Sequence, residues 1–214
     1  MKKILLSLGA AFLLAAGAQA QTSFGLKAGV NLGKYSNVPA DMEDYSKMNP
    51  SFYVTGYADL PVAPQFSIQP GISLQGKGAK YKADGDNFDG SATTNVMAIE
   101  IPVNAVYYIP AGYSGSVFLG AGPYVGYSLS GKTKLKGDFS DMSGEAEYDV
   151  DFTGDDKDQK PFDFGVNFLA GYKLSNGFLV NAGYGLGLSN LSPSEGSDNK
   201  FSNRVLSFGV GYQF

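Results

Sequence analysis

The feature that most limits how this chain can fold is an alternation of apolar with small or polar side chains, repeated about eight times. Its last occurrence, residues 204–214, sets Leu206, Phe208, Val210, Tyr212 and Phe214 against Val205, Ser207, Gly209, Gly211 and Gln213. Successive side chains of an extended strand point to opposite faces, so the first set makes a large apolar face and the second a small or polar one. The same pattern sets Phe24, Leu26, Ala28, Val30 and Leu32 against Gly25, Lys27, Gly29 and Asn31. It then sets Phe52, Val54, Ala58, Leu60 and Val62 against Tyr53, Thr55, Tyr57 and Asp59, and Phe66, Ile68, Ile72 and Leu74 against Ser67, Gln69, Gly71, Ser73 and Gln75. Residues 97–109, 117–129, 162–174 and 178–188 repeat it, with Glu100, Asn104, Tyr108, Phe118, Tyr124, Asp163, Asn167, Lys173 and Asn181 on the second face.

The connections differ in length in a regular way. Three are short, near Pro61, Ala111 and Asn176, and four are long, after Gly33, Gly76, Ser130 and Ser189. Asn176-Gly177 is a hairpin signal. Pro61-Val62-Ala63-Pro64 reads as a tight connection where proline ends the ladder, and residues 76–94 read as loop. A soluble meander has no reason to place every long loop at one end. A barrel in a bilayer does, with short turns on one side, long loops on the other, and an even number of strands of about 9–11 residues. Beyond residue 20 no apolar run is long enough to span as a helix, and a closed barrel is the other structure that pairs every backbone group in hydrocarbon. The expected fold is all-β, an antiparallel up-and-down transmembrane β-barrel of about eight strands over residues 21–214.

Residues 1–20 read as a secretory signal peptide: Lys2 and Lys3, an apolar run, then Ala18-Gln19-Ala20 as the cleavage site, with the mature chain beginning at Gln21. The apolar run is shorter than the roughly 20 residues of a spanning helix. The chain contains no Cys, which excludes lipidation at the cleavage site, disulfides, zinc–thiolate centres and a thiol nucleophile. Removing Lys2 and Lys3 from the 16 basic residues leaves 14 against 20 acidic ones, a net charge of −6 that argues against a nucleic-acid partner.

Residues 204–214 resemble the terminal signature of Gram-negative outer-membrane β-barrels, with a C-terminal Phe and an aromatic residue two positions before it. The resemblance implies that Phe208, Val210, Tyr212 and Phe214 are read by the outer-membrane insertion machinery. Ile99-Glu100-Ile101-Pro102-Val103, Gly120-Ala121-Gly122-Pro123-Tyr124-Val125-Gly126, Phe162-Asp163-Phe164-Gly165-Val166 and Tyr184-Gly185-Leu186-Gly187-Leu188-Ser189-Asn190 resemble the small outer-membrane β-barrel family labelled PorT-like or porin-family. This likeness covers essentially the whole mature chain and implies eight strands in the outer membrane of a Gram-negative bacterium. It implies no single activity, because a fold shared this widely does not transmit function. One branch of the family takes part in a secretion apparatus.

An eight-stranded interior is just wide enough to be filled by side chains. The inward set mixes glycines with Tyr53, Tyr57, Tyr108, Phe118 and Tyr124, and a glycine lets a neighbouring ring lie flat against the wall. A packed interior is therefore expected, with a narrow solute channel as the alternative. The inward charges are Lys27, Asp59, Glu100, Asp163 and Lys173. Counted from the short-turn ends, Lys27 and Asp59 sit at similar depth on adjacent strands and are expected to pair. Glu100 and Asp163 are expected to be hydrogen-bonded to Tyr124, Asn104 or Asn167, since buried charges must find partners. The other reading of this carboxylate pair is an acid/base or cation site.

The third long connection has its own order. Lys132, Lys134 and Lys136 alternate with Thr133 and Leu135, while Glu145, Glu147, Asp149 and Asp151 alternate with Ala146, Tyr148, Val150 and Phe152. Folding back at Asp141-Met142 would set Lys136 opposite Glu147, Lys134 opposite Asp149 and Lys132 opposite Asp151, so the fifth and sixth strands are expected to continue outside the membrane as a hairpin. A disordered acidic loop is the alternative. Asp84-Gly85-Asp86-Asn87-Phe88-Asp89-Gly90 has some likeness to a calcium loop, but Phe88 stands where an oxygen ligand belongs and no Glu closes the pattern. A solvated loop is the simpler reading, with weak Ca²⁺ binding by the acidic loops as the alternative, and no metal or cofactor site is expected.

An enzyme is disfavoured, since the chain has neither His nor Cys and no strand-end cluster suited to an activated nucleophile. A soluble lipocalin-like carrier would turn the apolar face inward and leave the glycine-rich face to water. The reading that accounts for more of the chain is a monomeric outer-membrane barrel with a structural or interaction role. Its partners would be outer-membrane lipid, the insertion machinery through the last strand, and an unidentified extracellular molecule through the acidic loops, because loops on a rigid scaffold often carry binding.

Overall fold

The computed structural model describes residues 22–36, 43–85, 88–139, 142–154, 156–193 and 200–214. The signal peptide and the mature start at Gln21 therefore lie outside the described residues. The strands are β1 (Ser23–Ser36), β2 (Ser46–Lys47), β3 (Asn49–Ala63), β4 (Phe66–Gly85), β5 (Phe88–Pro110), β6 (Gly115–Phe139), β7 (Met142–Asp149), β8 (Phe162–Leu174), β9 (Phe178–Gly187) and β10 (Ser202–Gln213). Eight of them pair in a ring, in the order β4-β3-β1-β10-β9-β8-β6-β5, and β5 returns to β4. The first and last strands close it, from Gly25 opposite Gln213 to Ser36 opposite Ser202. Every pair is antiparallel, and β2 and β7 add to β4 and β6 outside the ring.

Closure leaves no free edge around the ring and sorts the alternating residues into two environments. Leu26, Ile72, Ile101, Leu119, Val125, Phe208 and Val210 are exposed on the outer wall, whereas Asn31, Tyr53, Gln69, Ser73, Val106, Phe118 and Tyr124 are buried inside. The soluble-carrier alternative is thereby overturned: a ring this narrow has no room for the bulky set of every strand, so that set faces outward. Phe24, Phe66, Tyr107, Phe178, Tyr212 and Phe214 are exposed around the short-turn end. Toward the other end Tyr127 and Phe162 meet edge-on across β6 and β8 at 5.1 Å, and an apolar band between two aromatic girdles is what a bilayer requires.

The inward aromatics lie on glycines of neighbouring strands. A Cβ on Gly25 would overlap the Tyr57 ring, one on Gly165 the Tyr124 ring, one on Gly171 the Phe118 ring, and one on Gly209 the Tyr53 hydroxyl. Flat rings over bare backbone let these bulky side chains fit, at successive heights, inside a narrow barrel. Val106, Phe118 and Leu179 form a small apolar cluster at their base, with Tyr108 and Leu169 against it.

Several expectations are corrected. Residues 76–94 are not a loop: β4 runs on to Gly85 and β5 begins at Phe88, paired throughout. Their outward positions lose the apolar signature because this part of the sheet stands beyond the hydrocarbon, while backbone pairing continues without it. The short connection near Pro61 lies later than expected. Pro61 pairs opposite Ser67 across a bulge, and the turn comes at Pro64-Gln65, with Gln65 at φ 64°; a bulge is where a strand accepts proline. The calcium-like segment is a strand end, with Asp84 opposite Asp89, while Asp86 and Asn87 fall outside the described residues.

The external hairpin forms, but its return arm is a separate strand, β7, and irregular chain leads from it to β8. Its register also differs: Lys132 faces Asp149, Lys134 faces Glu147 and Lys136 faces Glu145. The shift is two residues, which leaves every side chain on the same face, so alternation cannot distinguish the two registers. Residues 140–141, at the turn that decides between them, lie outside the described residues.

Candidate functional site

The inward charges divide into two layers. In the layer near the short turns, the Asp59 carboxylate accepts hydrogen bonds from Gln69 Nε2 (2.8 Å), Tyr108 Oη (3.1 Å), Gln213 Nε2 (3.2 Å) and Ser67 Oγ (3.4 Å). The expected Lys27–Asp59 ion pair is absent. Lys27 lies opposite Thr55, and Asp59 opposite Ser23, so they are four residues, about 13 Å, out of step along the ladder. Strands of a barrel are tilted and staggered, so equal depth is not adjacency. Lys27 instead sits over the Tyr57 ring, 4.4 Å from its centre, and Lys173 over the Tyr108 ring at 4.5 Å. Each ammonium thus meets a ring face in a desolvated setting, where such contacts are strongest.

The outer layer is built on a residue that the sequence reading missed. Lys77 of β4 makes ion pairs with both Glu100 of β5 and Asp163 of β8, and its ammonium lies 4.6 Å from the Tyr124 ring centre. Asp163 also accepts from Ser189 Oγ (2.5 Å), Asn203 Nδ2 (2.8 Å) and Tyr124 Oη (3.2 Å). The expected Tyr124 bond is present. Glu100 is held by Lys77, not by Asn104 or Asn167. Lys77 continues the inward odd positions Ser67, Gln69, Ser73 and Gln75, and that parity was the available signal. Gly76 and Gly78 flank it, so the lipid-facing signal stops just where Lys77 enters.

Between the layers is a cavity of about 90 Å³, whose lining includes Asn31, Tyr53, Gln75, Asn104, Asn181 and Ser207. Asn31 donates to Gln75 Oε1 (2.7 Å) and the Gly76 carbonyl (2.9 Å), and Asn181 donates to Tyr53 Oη (2.9 Å). Above the outer layer, Val150 and Phe152 pack with Val96 against the inner face of β5 and over Gly131 of β6. The chain on either side is tied down: Lys160 N–H donates to the Leu191 carbonyl (2.8 Å), Leu191 N–H donates to the Phe201 carbonyl (2.9 Å), and Leu191 and Gln159 are buried. Described residues before β8 and after β9 are therefore joined to each other at the long-loop end.

Outside the mouth, β4, β5, β6 and β7 continue as one sheet. A bulge where Met97 faces Ser130 and Ala98 faces Ser128 leaves Leu129 as the extra residue and reverses the facing of β6 beyond it. Lys132, Lys134 and Lys136 thereby reach the outer surface. Glu147 bridges Lys132 (2.6 Å) and Lys134 (2.9 Å), and Glu145 pairs with Lys136 (3.2 Å). Hydrogen bonds from the two lysines hold the Glu147 carboxyl down at about 2, and the same bonds raise both ammonium groups. Among the described residues the far edge of β7 has no strand partner.

A ring of eight antiparallel strands, apolar outside and hydrogen-bonded within, defines a transmembrane β-barrel. The chain belongs to the outer membrane protein beta-barrel domain family, which it matches over residues 18–192. It is an outer-membrane β-barrel protein. Among solved structures it is similar to the attachment invasion locus protein Ail of Yersinia pestis, with 13% identity over 90% of this chain and 98% of that one and a TM-score of 0.39. It is also similar to Neisserial surface protein A (14%, 90% and 99%, TM-score 0.45) and to the N-terminal β-barrel domain of OprF from Pseudomonas aeruginosa (13%, 91% and 100%, TM-score 0.35). None of the curated proteins matches the chain.

Proposed function

We propose that this protein is a closed, non-conducting barrel with a structural or interaction role, in which the membrane ring is scaffold and the external strands meet an extracellular partner. The observation that carries this reading is the pairing of a blocked interior with an extended exterior. Two polar layers, with Val96, Val150 and Phe152 packed above them, fill the lumen around a cavity of about 90 Å³, while β4 to β7 continue past the membrane and one edge of β7 has no strand partner among the described residues. An open edge offers unpaired N–H and C=O groups to another chain. The reading includes a monomer in outer-membrane lipid, delivered through recognition of Phe208, Val210, Tyr212 and Phe214 by the insertion machinery. It assigns the inward set Lys27, Asp59, Glu100, Asp163 and Lys173 to stability and not to catalysis, and it includes no cofactor.

Planar-bilayer recording of the purified barrel tests this. No sustained openings are expected, from the intact protein or after a short deletion at the β6–β7 turn. Stable single-channel conductance of the intact protein would overturn the closed-barrel reading in favour of the narrow channel.

A further inference from the structure

Among the described residues, the outer rim carries a basic pair that no acidic side chain neutralises. Lys34 of β1 and Arg204 of β10 are direct cross-strand partners, two residues beyond the paired Leu32 and Leu206 on the same outward face. Like charges directly opposite each other destabilise a sheet. Of the outward lysines of the external sheet, Lys132 and Lys134 share Glu147, Lys136 takes Glu145 and Lys82 takes Asp89. Lys80, opposite Lys47 of β2, has no ion pair among the described residues and stands farther out, beyond the hydrocarbon. Lys34 and Arg204 form no ion pair with any described residue.

Arg204 is nevertheless held in place. Its Nη1 donates to the carbonyls of Gly187 (2.6 Å) and Asn203 (2.9 Å), which fixes the guanidinium and leaves Nη2 and Nε without protein acceptors among the described residues. The height of the pair follows from the chain. Lys34 is ten residues from Phe24 and Arg204 ten from Phe214, the two aromatics that close the short-turn end. A tilted strand crosses the hydrocarbon in about 9–11 residues, so both charges emerge at the opposite interface. Apolar side chains lie directly beneath and beside them: Leu32, Leu206, and Leu186 opposite Arg204.

We propose that Lys34 and Arg204 form a binding site for the phosphate of a phosphorylated glycolipid in the outer leaflet, with its acyl chains along Leu32, Leu206 and Leu186. A phosphate between the two cations turns a repulsive pair into a bridged one. A planar guanidinium presents two parallel N–H groups to phosphate oxygens, and the flexible ammonium adds a point charge. The apolar surroundings select a lipid-borne phosphate over a free one.

The test uses the folded protein in zwitterionic micelles, with lipid A, dephosphorylated lipid A and inorganic phosphate as probes. The readout is the midpoint of heat-induced loss of folded gel mobility, for the wild type, Lys34→Gln and Arg204→Lys. Lipid A is expected to raise the wild-type midpoint, and Lys34→Gln to need about fivefold more of it for the same rise, the value of one basic contact at an anionic surface. Without added lipid, Lys34→Gln is expected to melt at the wild-type temperature or above, because a repulsion has been removed. Arg204→Lys keeps the charge without the fork and is expected to respond less than the wild type. Equal lipid A response in wild type and Lys34→Gln overturns the proposal. So does an equal response of the wild type and Arg204→Lys, an equal effect of dephosphorylated lipid A or inorganic phosphate on the wild type, or a lower lipid-free midpoint for Lys34→Gln.

Discussion

Replacing Lys77 with methionine isolates the interaction on which the outer layer of the lumen depends. Lys77, Glu100 and Asp163 are 5%, 3% and 3% exposed, so neither carboxylate can turn to water when the ammonium is lost. Methionine keeps most of the chain length and adds no donor. Asp163 retains hydrogen bonds from Ser189, Asn203 and Tyr124, whereas Glu100 loses the ion pair that held it. Removing one partner of a buried ion pair costs about 3–5 kcal/mol, because the remaining charge is left uncompensated. The loss should therefore reside mainly at Glu100. The double substitution Lys77→Met with Glu100→Met is expected to return to within about 1.5 kcal/mol of the wild type, as when apolar side chains of similar volume replace a buried pair. The chain contains no Trp, so urea unfolding in lipid vesicles is best followed by far-ultraviolet circular dichroism, with heat-modifiable gel mobility as a check on folding. A loss under about 1 kcal/mol for Lys77→Met would refute the reasoning, since breaking a buried pair should cost several times that. A double variant no more stable than the single would refute it too.

Other perturbations test other parts of the fold. Gly25→Ala places a methyl group where the Tyr57 ring lies and should displace the ring from beneath Lys27, at about 1–3 kcal/mol for overpacking. In a Tyr57→Leu background the same substitution should cost less than about 1 kcal/mol, and equal costs in the two backgrounds would show that the ring does not rest on that glycine. In the external hairpin, Glu147 is held at about 2 against an ordinary 4.5. A lowered carboxylate contributes stability that is present above its unfolded value and lost as pH falls through the folded one. Amide exchange across β6 and β7, corrected for its intrinsic pH dependence, should be steady from neutral pH to about 5 and quicken as pH falls toward 2. Glu147→Gln should remove that acid step, and a step that survives the substitution would assign it to another group.

Much of the barrel was legible because the information is local. A period of two assigns each residue to a face, and that is why Tyr53, Tyr57, Tyr108, Phe118 and Tyr124 could be placed inside and Phe208, Val210, Tyr212 and Phe214 outside from their positions alone. Small residues opposite large ones marked where rings would lie. Lipid-facing composition marked each strand only as far as the hydrocarbon reaches, so the external parts of β4 and β5, with Gly76, Gly78 and Ala79, read as loop. Facing survives any shift of register by two residues, and so alternation could not choose between the two pairings of Lys134.

The amino-acid sequence by itself determined that the strands alternate, which face of each meets lipid, and that the long connections share one end. Only the tertiary structure decided which charges meet. Lys27 stands over Tyr57 and not beside Asp59, Lys77 joins Glu100 to Asp163, and Lys34 lies opposite Arg204. The physical reason is the stagger of a closed barrel. Facing is a property of one residue on one strand, whereas contact across the lumen or along the wall depends on the tilt and offset of strands far apart in the chain.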